Sequence, residues 1–152
     1  MEEIKITAIS KIKINPDKTA VINFSQSDDL TSAEITFKGK DKVTDPFYNK
    51  FQENIDGLIA SLPIFESDKY NLTMNTIKFV YDENKEIDSI QYSAKYSIND
   101  EDDKADIITP MLPMFLKKEE HQKLLHEAIR LAKSYVNGDT SAVQMKLFKH
   151  NS

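Results

Sequence analysis

Apolar and polar residues alternate along the first quarter of the chain, a pattern typical of strands that bury one face. Residues 4–14 and 19–25 mix apolar with polar or basic side chains, and residues 32–39 form a third such stretch. The first two are separated by Asn-Pro-Asp-Lys at 15–18, which favours a tight turn because proline presets φ and Asn and Asp tolerate turn geometry. The pattern predicts a β-hairpin followed by a third strand.

Helical spacing of apolar residues begins after Thr44. Thr44 can cap a helix, and Asp45 and Pro46 suit the first turn, where unpaired N–H groups and the helix dipole favour an acid and a proline. The predicted helix ends before Pro63. Its apolar stripe, which we expect to be buried, consists of Phe47, Phe51, Ile55, Leu58, Ile59 and Leu62.

Two more strands and a second helix complete the pattern. Residues 72–81 and 87–98 carry β-branched and aromatic side chains on either side of a polar hairpin tip at 82–86. An acidic loop, NDEDDKAD, and an irregular apolar passage with two prolines, IITPMLPMF, follow. The last helix is predicted from about residue 118 to 137, with Gly138 in the position of a helix-terminating glycine. Its apolar face comprises Leu124, Leu125, Ala128, Leu131, Ala132 and Tyr135.

These elements predict an α+β fold in two layers. We expect an antiparallel sheet of about five strands with two main helices on one face, in the order β-β-β-α-β-β-α. The 152 residues suffice for one domain with a real core and are too few for two ordinary domains. We assign residues 1–137 to a single α+β domain and residues 138–152 to a short C-terminal tail.

Composition and charge narrow the classes of function. The chain has no cysteine, which excludes disulfides and thiolate chemistry and suits a reducing cytoplasm. Its first residues are charged, unlike a secretory signal, and no apolar run is long enough for a membrane span. The net charge is −5, the lysines are spread among acids, and Arg130 is the single arginine. We therefore expect a soluble cytoplasmic protein without direct strong nucleic-acid binding.

Candidate catalytic groups do not form a recognisable constellation. His121 and His126 are five residues apart on the last helix, which turns them about 140° from each other, so we expect solvated residues and not a metal pair. The chain also lacks a phosphate-binding loop and a nucleophile elbow. An acidic run resembles a calcium loop but lacks its glycine and its final glutamate, and we expect it to be solvated. The run comprises Asp100, Glu101, Asp102, Asp103 and Asp106. The sequence predicts no catalytic residue, no metal and no cofactor, so we expect a protein that is not an enzyme.

The tail contains the most specific motif in the chain. Gln144, Met145, Lys146, Leu147 and Phe148 resemble the pentapeptide that binds the bacterial sliding clamp: glutamine, an aliphatic residue, a variable residue, then Leu-Phe. A glutamine amide satisfies polar groups in a small pocket, while Leu and Phe anchor in an apolar cleft. Met145 would lie against the wall of the cleft and Lys146 would face water. The residues Gln144, Met145, Leu147 and Phe148 are the predicted partner-binding site.

A second interpretation of the same segment stays open. Val143, Met145 and Leu147 alternate with other residues, which is also the pattern of an edge strand that packs on the sheet. A packed strand would need these side chains for stability, whereas a presented peptide would not.

A wider resemblance gives the motif a context. The runs TDPFYNKFQENI, ITPMLP and EAIRLAKSYVNGDTSAVQMKLF resemble a family of small, uncharacterised proteins from the replication and recombination regions of tailed phages and prophages of Gram-positive bacteria. The resemblance is patchy, extends from Thr44 onward, and includes a glycine break followed by a Gln-x-x-Leu-Phe tail. This chain differs in carrying Lys146 at the variable site and four further residues, 149–152, after the motif.

The resemblance implies the biological context of the protein, but it implies no enzymatic activity. It implies a non-enzymatic phage or prophage protein in the cytoplasm of the bacterial host, docking on the host sliding clamp through its tail. A second phage or host replication or recombination protein would be a further partner. The alternative is a phage structural or assembly protein whose tail is a packed strand or a strand exchanged between subunits.

Overall fold

The computed structural model describes residues 3–98 and 103–143, and this part of the chain forms seven strands and three α-helices. The strands are β1 (Ala8–Ile14), β2 (Ala20–Ser27), β3 (Ser32–Lys38), β4 (Leu72–Tyr81), β5 (Ile87–Ser97), β6 (Lys104–Ile108) and β7 (Leu112–Pro113). The helices are α1 (Asp45–Glu53), α2 (Ile55–Ser61) and α3 (Glu119–Val136). Two 3₁₀ segments lie at Pro63–Asn71 and Met114–Leu116.

All strand pairs in the sheet are antiparallel. The strand order is β3-β2-β1-β4-β5-β6, and β7 also pairs with β5. At the centre of the sheet, Ile12 of β1 lies opposite Ile22 of β2 and Ile77 of β4. The α+β class and the antiparallel sheet predicted from the sequence are therefore confirmed.

The hydrophobic core lies between the helices and one face of the sheet. α1 packs on α3 and on β4, α2 packs on β4, and α3 packs on β1. Alternate residues of the central strands point into this layer, which explains their alternating pattern in the sequence. The largest fully buried side chains are Tyr92, Tyr135, Phe47, Phe51, Ile9, Ile12, Ile22, Leu58, Met74, Ile77, Ile90 and Leu125.

The number of strands differs from the predicted five. β6 occupies Lys104–Ile108, where the sequence indicated part of an acidic loop, and the two-residue β7 lies in the passage expected to be irregular. The sequence pattern did not predict β6. This edge strand has exposed charged residues and lacks the apolar enrichment of a central strand. Asp106 of β6 forms an ion pair with Lys95 of β5.

The single helix predicted over residues 44–62 is also wrong in detail. It is divided into α1 and α2 at Asn54, which is 1% exposed. The Asn54 side-chain amide donates to the carbonyl oxygens of Lys50 at 2.9 Å and Leu124 at 3.4 Å. A buried side chain that bonds to backbone carbonyls competes with the helix for them, and the sequence pattern of apolar residues does not reveal that competition. The start of α1 is as predicted, with Thr44 Oγ1 accepting from Phe47 N at 3.3 Å.

The end of α3 follows the glycine-terminated pattern predicted for it. Gly138 has φ of 101°, a left-handed conformation that favours glycine. Its N–H donates to Tyr135 O at 3.1 Å, and the N–H of Asp139 donates to Ser134 O at 3.0 Å. These two bonds form a Schellman motif, which turns the chain away from the helix axis.

Tyr135, on the last turn of α3, joins the helix to the loop that follows β3. Its hydroxyl donates to Asp41 O and accepts from Ala20 N at 3.4 Å. Its ring packs edge-on to Phe37 with centroids 5.9 Å apart, and its centroid also lies 5.9 Å from that of Phe47. One side chain thus connects α3 with α1, β2, β3 and the loop.

Gly39 leaves room for this tyrosine, which generates a stability prediction. A Cβ atom at Gly39 would lie 2.0 Å from Tyr135 Oη and 2.6 Å from its Cζ. Gly39→Ala should therefore lower the free energy of unfolding by about 1–3 kcal/mol, measured by urea denaturation. The neighbouring exposed Lys40→Ala is the control and should change it by less than about 0.5 kcal/mol. Equal stability of the Gly39→Ala variant and the wild type would contradict the packing described.

Candidate functional site

The four residues predicted to bind a partner, Gln144, Met145, Leu147 and Phe148, lie outside the described residues. The structure does describe the segment that leads to them. Thr140 is 7% exposed, and its Oγ1 accepts from Val143 N at 3.3 Å, so it caps a helical turn that starts at Ser141. The chain therefore approaches the pentapeptide in an ordered, capped conformation.

This segment is attached to the loop formed by residues 39–43, which we call the exit loop. The N–H of Ser141 donates to Lys42 O at 3.0 Å. The exit loop is itself held by the β1–β2 hairpin, through Gly39 N to Ala20 O and Val43 N to Lys18 O, both at 2.9 Å. The first residues of the predicted C-terminal tail, 138–141, are thus held on the domain surface by the burial of Thr140 and the bond of Ser141.

The histidines of α3 have different environments. His126 is exposed, as expected, whereas His121 is only 8% exposed, so the prediction of solvent exposure is wrong for His121. Within residues 3–98 and 103–143, no group of three potential metal-ligating side chains is close enough to hold an ion.

The acidic run predicted to be a solvated loop is divided by the start of β6. Asp103 is exposed, and Asp106 belongs to the strand and pairs with Lys95. Asp100, Glu101 and Asp102 lie outside the described residues. The expectation of a loop is therefore wrong for Asp106.

A groove of about 500 Å³ lies between α3 and the β4–β5 hairpin. It brings Tyr81, Glu86 and His126 to one surface. The Tyr81 hydroxyl donates to Ile9 O at 2.7 Å, and burial raises the pKa of Tyr81 to about 12. Because this hydroxyl already donates to a backbone carbonyl and its pKa is far above 7, Tyr81 does not serve as an acid or base in the groove near neutral pH.

Lys117 is a cation held over an aromatic ring. Its Nζ lies 4.5 Å from the centroid of Tyr92 and donates to Gly57 O at 3.2 Å and Ser61 Oγ at 3.4 Å. Burial lowers the pKa of Lys117 to about 8. Burial also raises the pKa of Tyr92, whose hydroxyl has no hydrogen-bond partner among the described residues. Sequence reasoning missed this group because its parts come from α2, β5 and the segment before α3.

Comparison with known proteins gives no relative. No protein-family model matches the chain, and no curated protein or solved structure matches it either. Among the described residues, no helix combines the length and the apolar character needed to cross a membrane.

The lowered pKa of Lys117 predicts a pH dependence of stability. Because the folded-state pKa of about 8 is below the usual value of 10.5, the unfolded chain binds more protons between these two pH values. The free energy of unfolding should therefore rise, by about 1–2 kcal/mol between pH 7 and pH 9.5. Lys117→Met, which keeps the length of the side chain, should remove this rise.

Urea denaturation at several pH values measures the effect, with Lys118→Met as the exposed control. The control should keep the wild-type pH dependence. A Lys117→Met variant whose stability still rises with pH as in the wild type would show that another group titrates.

Proposed function

We propose that the chain is a non-enzymatic adaptor or modulator, encoded by a phage or prophage, that docks on the bacterial sliding clamp of its host. Gln144, Met145, Leu147 and Phe148 would make the contact. The observation that carries the proposal is the match of residues 144–148 to the clamp-binding pentapeptide in type and order. The remaining domain would contribute a second binding function or steric bulk.

The chemistry of the pentapeptide suits an extended ligand in a cleft. Leu147 and Phe148 are large apolar anchors at adjacent positions, and Gln144 supplies an amide that both donates and accepts hydrogen bonds. Lys146 occupies the position whose side chain would remain in water. Five residues bury little area and must be ordered on docking, so one peptide should bind with an affinity on the order of micromolar.

The exit loop determines how far the domain would stand from the clamp. Ser141 is hydrogen-bonded to Lys42, and three residues from there to Gln144 span at most about 11 Å. A clamp that binds the pentapeptide would thus lie close to the exit-loop side of the domain. Such proximity favours two modes of action: blocking host polymerases from the same cleft, or recruiting a phage or host replication factor beside it.

Double replacement of the anchors tests the proposal. Leu147→Ala with Phe148→Ala should abolish binding to a bacterial sliding clamp in calorimetric titration, because both cleft contacts are removed. The thermal midpoint should not change, since a presented peptide adds no core residue. Lys146→Ala is the matched control within the motif and should bind as the wild type does.

Two results would count against this function. A wild type that does not bind the clamp at tens of micromolar removes its basis. A double variant with a clearly lower melting temperature would show that the two side chains are packed on the domain, because truncating buried large side chains costs about 2–5 kcal/mol each.

The alternative, an assembly protein that exchanges a strand between subunits, is favoured by the free edges of the sheet. β3 and β6 are the outermost strands of the path, so each has one side without a paired strand among the described residues. A donated strand could pair there. Because Thr140 and Ser141 are held on the domain, the appropriate truncation removes residues 144–152. Loss of a homo-oligomer on this truncation, seen by light scattering, would favour the alternative over clamp docking.

A further inference from the structure

The face of the sheet opposite the helices is rich in lysine. The register of the strands assigns residues to this face, because their neighbours along each strand are buried, or on β3 and β6 partly buried, on the helix side. Six lysines share it, contributed by five of the six strands of the main path: Lys11, Lys13, Lys38, Lys78, Lys95 and Lys104. We call this surface the lysine face.

The lysine face is positive although the chain is acidic. On the same face, the register places two acidic residues, Glu34 on β3 and Asp106 on β6, and a third acid, the exposed Asp88, lies at the irregularity of β5. With Asp88 counted, six lysines against three acids leave a local charge of +3, whereas the whole chain carries −5. Asp106 pairs with Lys95, and the other five lysines form no ion pair within the described residues. The acids of the chain are thus concentrated elsewhere, and this face has an unbalanced positive field.

The positive charge is densest at the centre of the lysine face. Lys11 on β1 lies directly opposite Lys78 on β4, and Lys13 follows two residues along β1. Like charges directly opposite each other in a sheet are destabilising, and strands are only about 4.8 Å apart. No carboxylate of the described strands is paired with these three. Folding therefore leaves a repulsion at this point that a bound anion would relieve.

Polar side chains extend the central pair across the sheet. Asn23 of β2 lies opposite Lys11, and Gln91 of β5 lies opposite Lys78, so one row runs Asn-Lys-Lys-Gln over four strands. Thr36 of β3 continues the row beyond Asn23. Lysine ammonium groups, amides and hydroxyls are groups that proteins use to contact phosphate oxygens. The Gln91 amide nitrogen already donates to Thr109 O at 2.9 Å, so the contact would rest on the lysines, Asn23 and Thr36.

We propose that the lysine face binds the phosphate backbone of duplex nucleic acid. The other side chains of the lysine face favour a duplex over a single strand. None of the described strands places an aromatic side chain on it, so it has no platform on which single-stranded bases stack. It also has no arginine, the residue that reads guanine edges and pairs with phosphate in bidentate fashion. The contact is therefore sequence-independent and depends strongly on salt.

This surface goes beyond the proposed clamp docking and does not depend on it. Affinity from backbone contacts alone is modest, on the order of 1–100 µM at physiological salt. The expectation that the chain has no direct strong nucleic-acid binding is compatible with such a weak contact.

The test is a salt titration of binding to a fluorescent duplex of about 20 base pairs and mixed sequence, followed by anisotropy from 20 to 150 mM NaCl. No clamp is present, so the outcome is separate from that of the proposed function. With three to five phosphates neutralised, the slope of log affinity against log salt should be about −3 to −4.5. A single strand of the same length should bind at least several-fold more weakly.

A matched pair of variants locates the surface. Replacing Lys11, Lys13 and Lys78 by Gln should weaken duplex binding at low salt by more than about tenfold and flatten the slope by two to three. Replacing Lys118, Lys123 and Lys133 by Gln changes the net charge equally, but these exposed lysines belong to α3 and the residue before it. That control should stay within about twofold of the wild type. Thermal melts establish that both variants are folded.

Four outcomes overturn the proposal. The first is absence of salt-dependent duplex binding at 20 mM NaCl by the folded wild type. The second is an equal loss of affinity in the α3 control, which would mean that duplex binding depends on the net charge of the protein and not on the lysine face. The third is tighter binding to the single strand, and the fourth is displacement of the duplex by poly-glutamate at an equal concentration of negative charge. Poly-glutamate displacement would indicate an acidic protein as the occupant instead.

Discussion

The position of Tyr135 is the constraint on which the arrangement of this domain depends. Its ring lies between aromatic residues of β3 and α1, while its hydroxyl bonds to the backbone of the exit loop and of β2. A phenol buried in this way stabilises through its apolar area and also needs a hydrogen-bond partner, which Asp41 O supplies. The same contact brings the end of α3 beside the exit loop. Gly138 then turns the chain, and Ser141 joins Lys42, so the packing of one core residue determines where the chain leaves the domain.

The elements that bury a regular apolar face could be predicted from the sequence. The central strands alternate because one face is covered by helices, and Thr44 and Gly138 mark helix ends through local backbone chemistry. The predictions were wrong where tertiary contacts override local pattern. β6 exists because β5 offers it hydrogen bonds, and its exposed edge position requires no apolar pattern. Asn54, at the break between α1 and α2, bonds to Lys50 O and also to Leu124 O, which is far away in the chain, and the apolar pattern of the sequence does not reveal these bonds.

The two candidate binding surfaces differ in how they are encoded. The pentapeptide at 144–148 is contiguous, so its residue types and order can be read directly from the sequence. The lysine face is assembled by strand register from residues that stand among acids along the chain, and the scattered charge therefore gave no sign of it. Successive charged residues of a strand lie on opposite faces of the sheet, so the charge pattern of the sequence mixes the two faces. A binding partner contacts only one of them.

Hydrogen exchange of a sliding clamp is the sharpest test of the proposal that the pentapeptide docks in the clamp's peptide-binding cleft. The exchange of clamp amides would be measured alone, with the full chain, and with the full chain plus excess synthetic Gln-Met-Lys-Leu-Phe peptide. The full chain should protect the amides of the cleft, and these amides should stay protected when the free peptide displaces the chain. Clamp amides next to the cleft that only the domain protects should lose this protection when the peptide displaces the chain. Protection elsewhere on the clamp that persists with excess peptide, or no protection at all, would contradict the proposal.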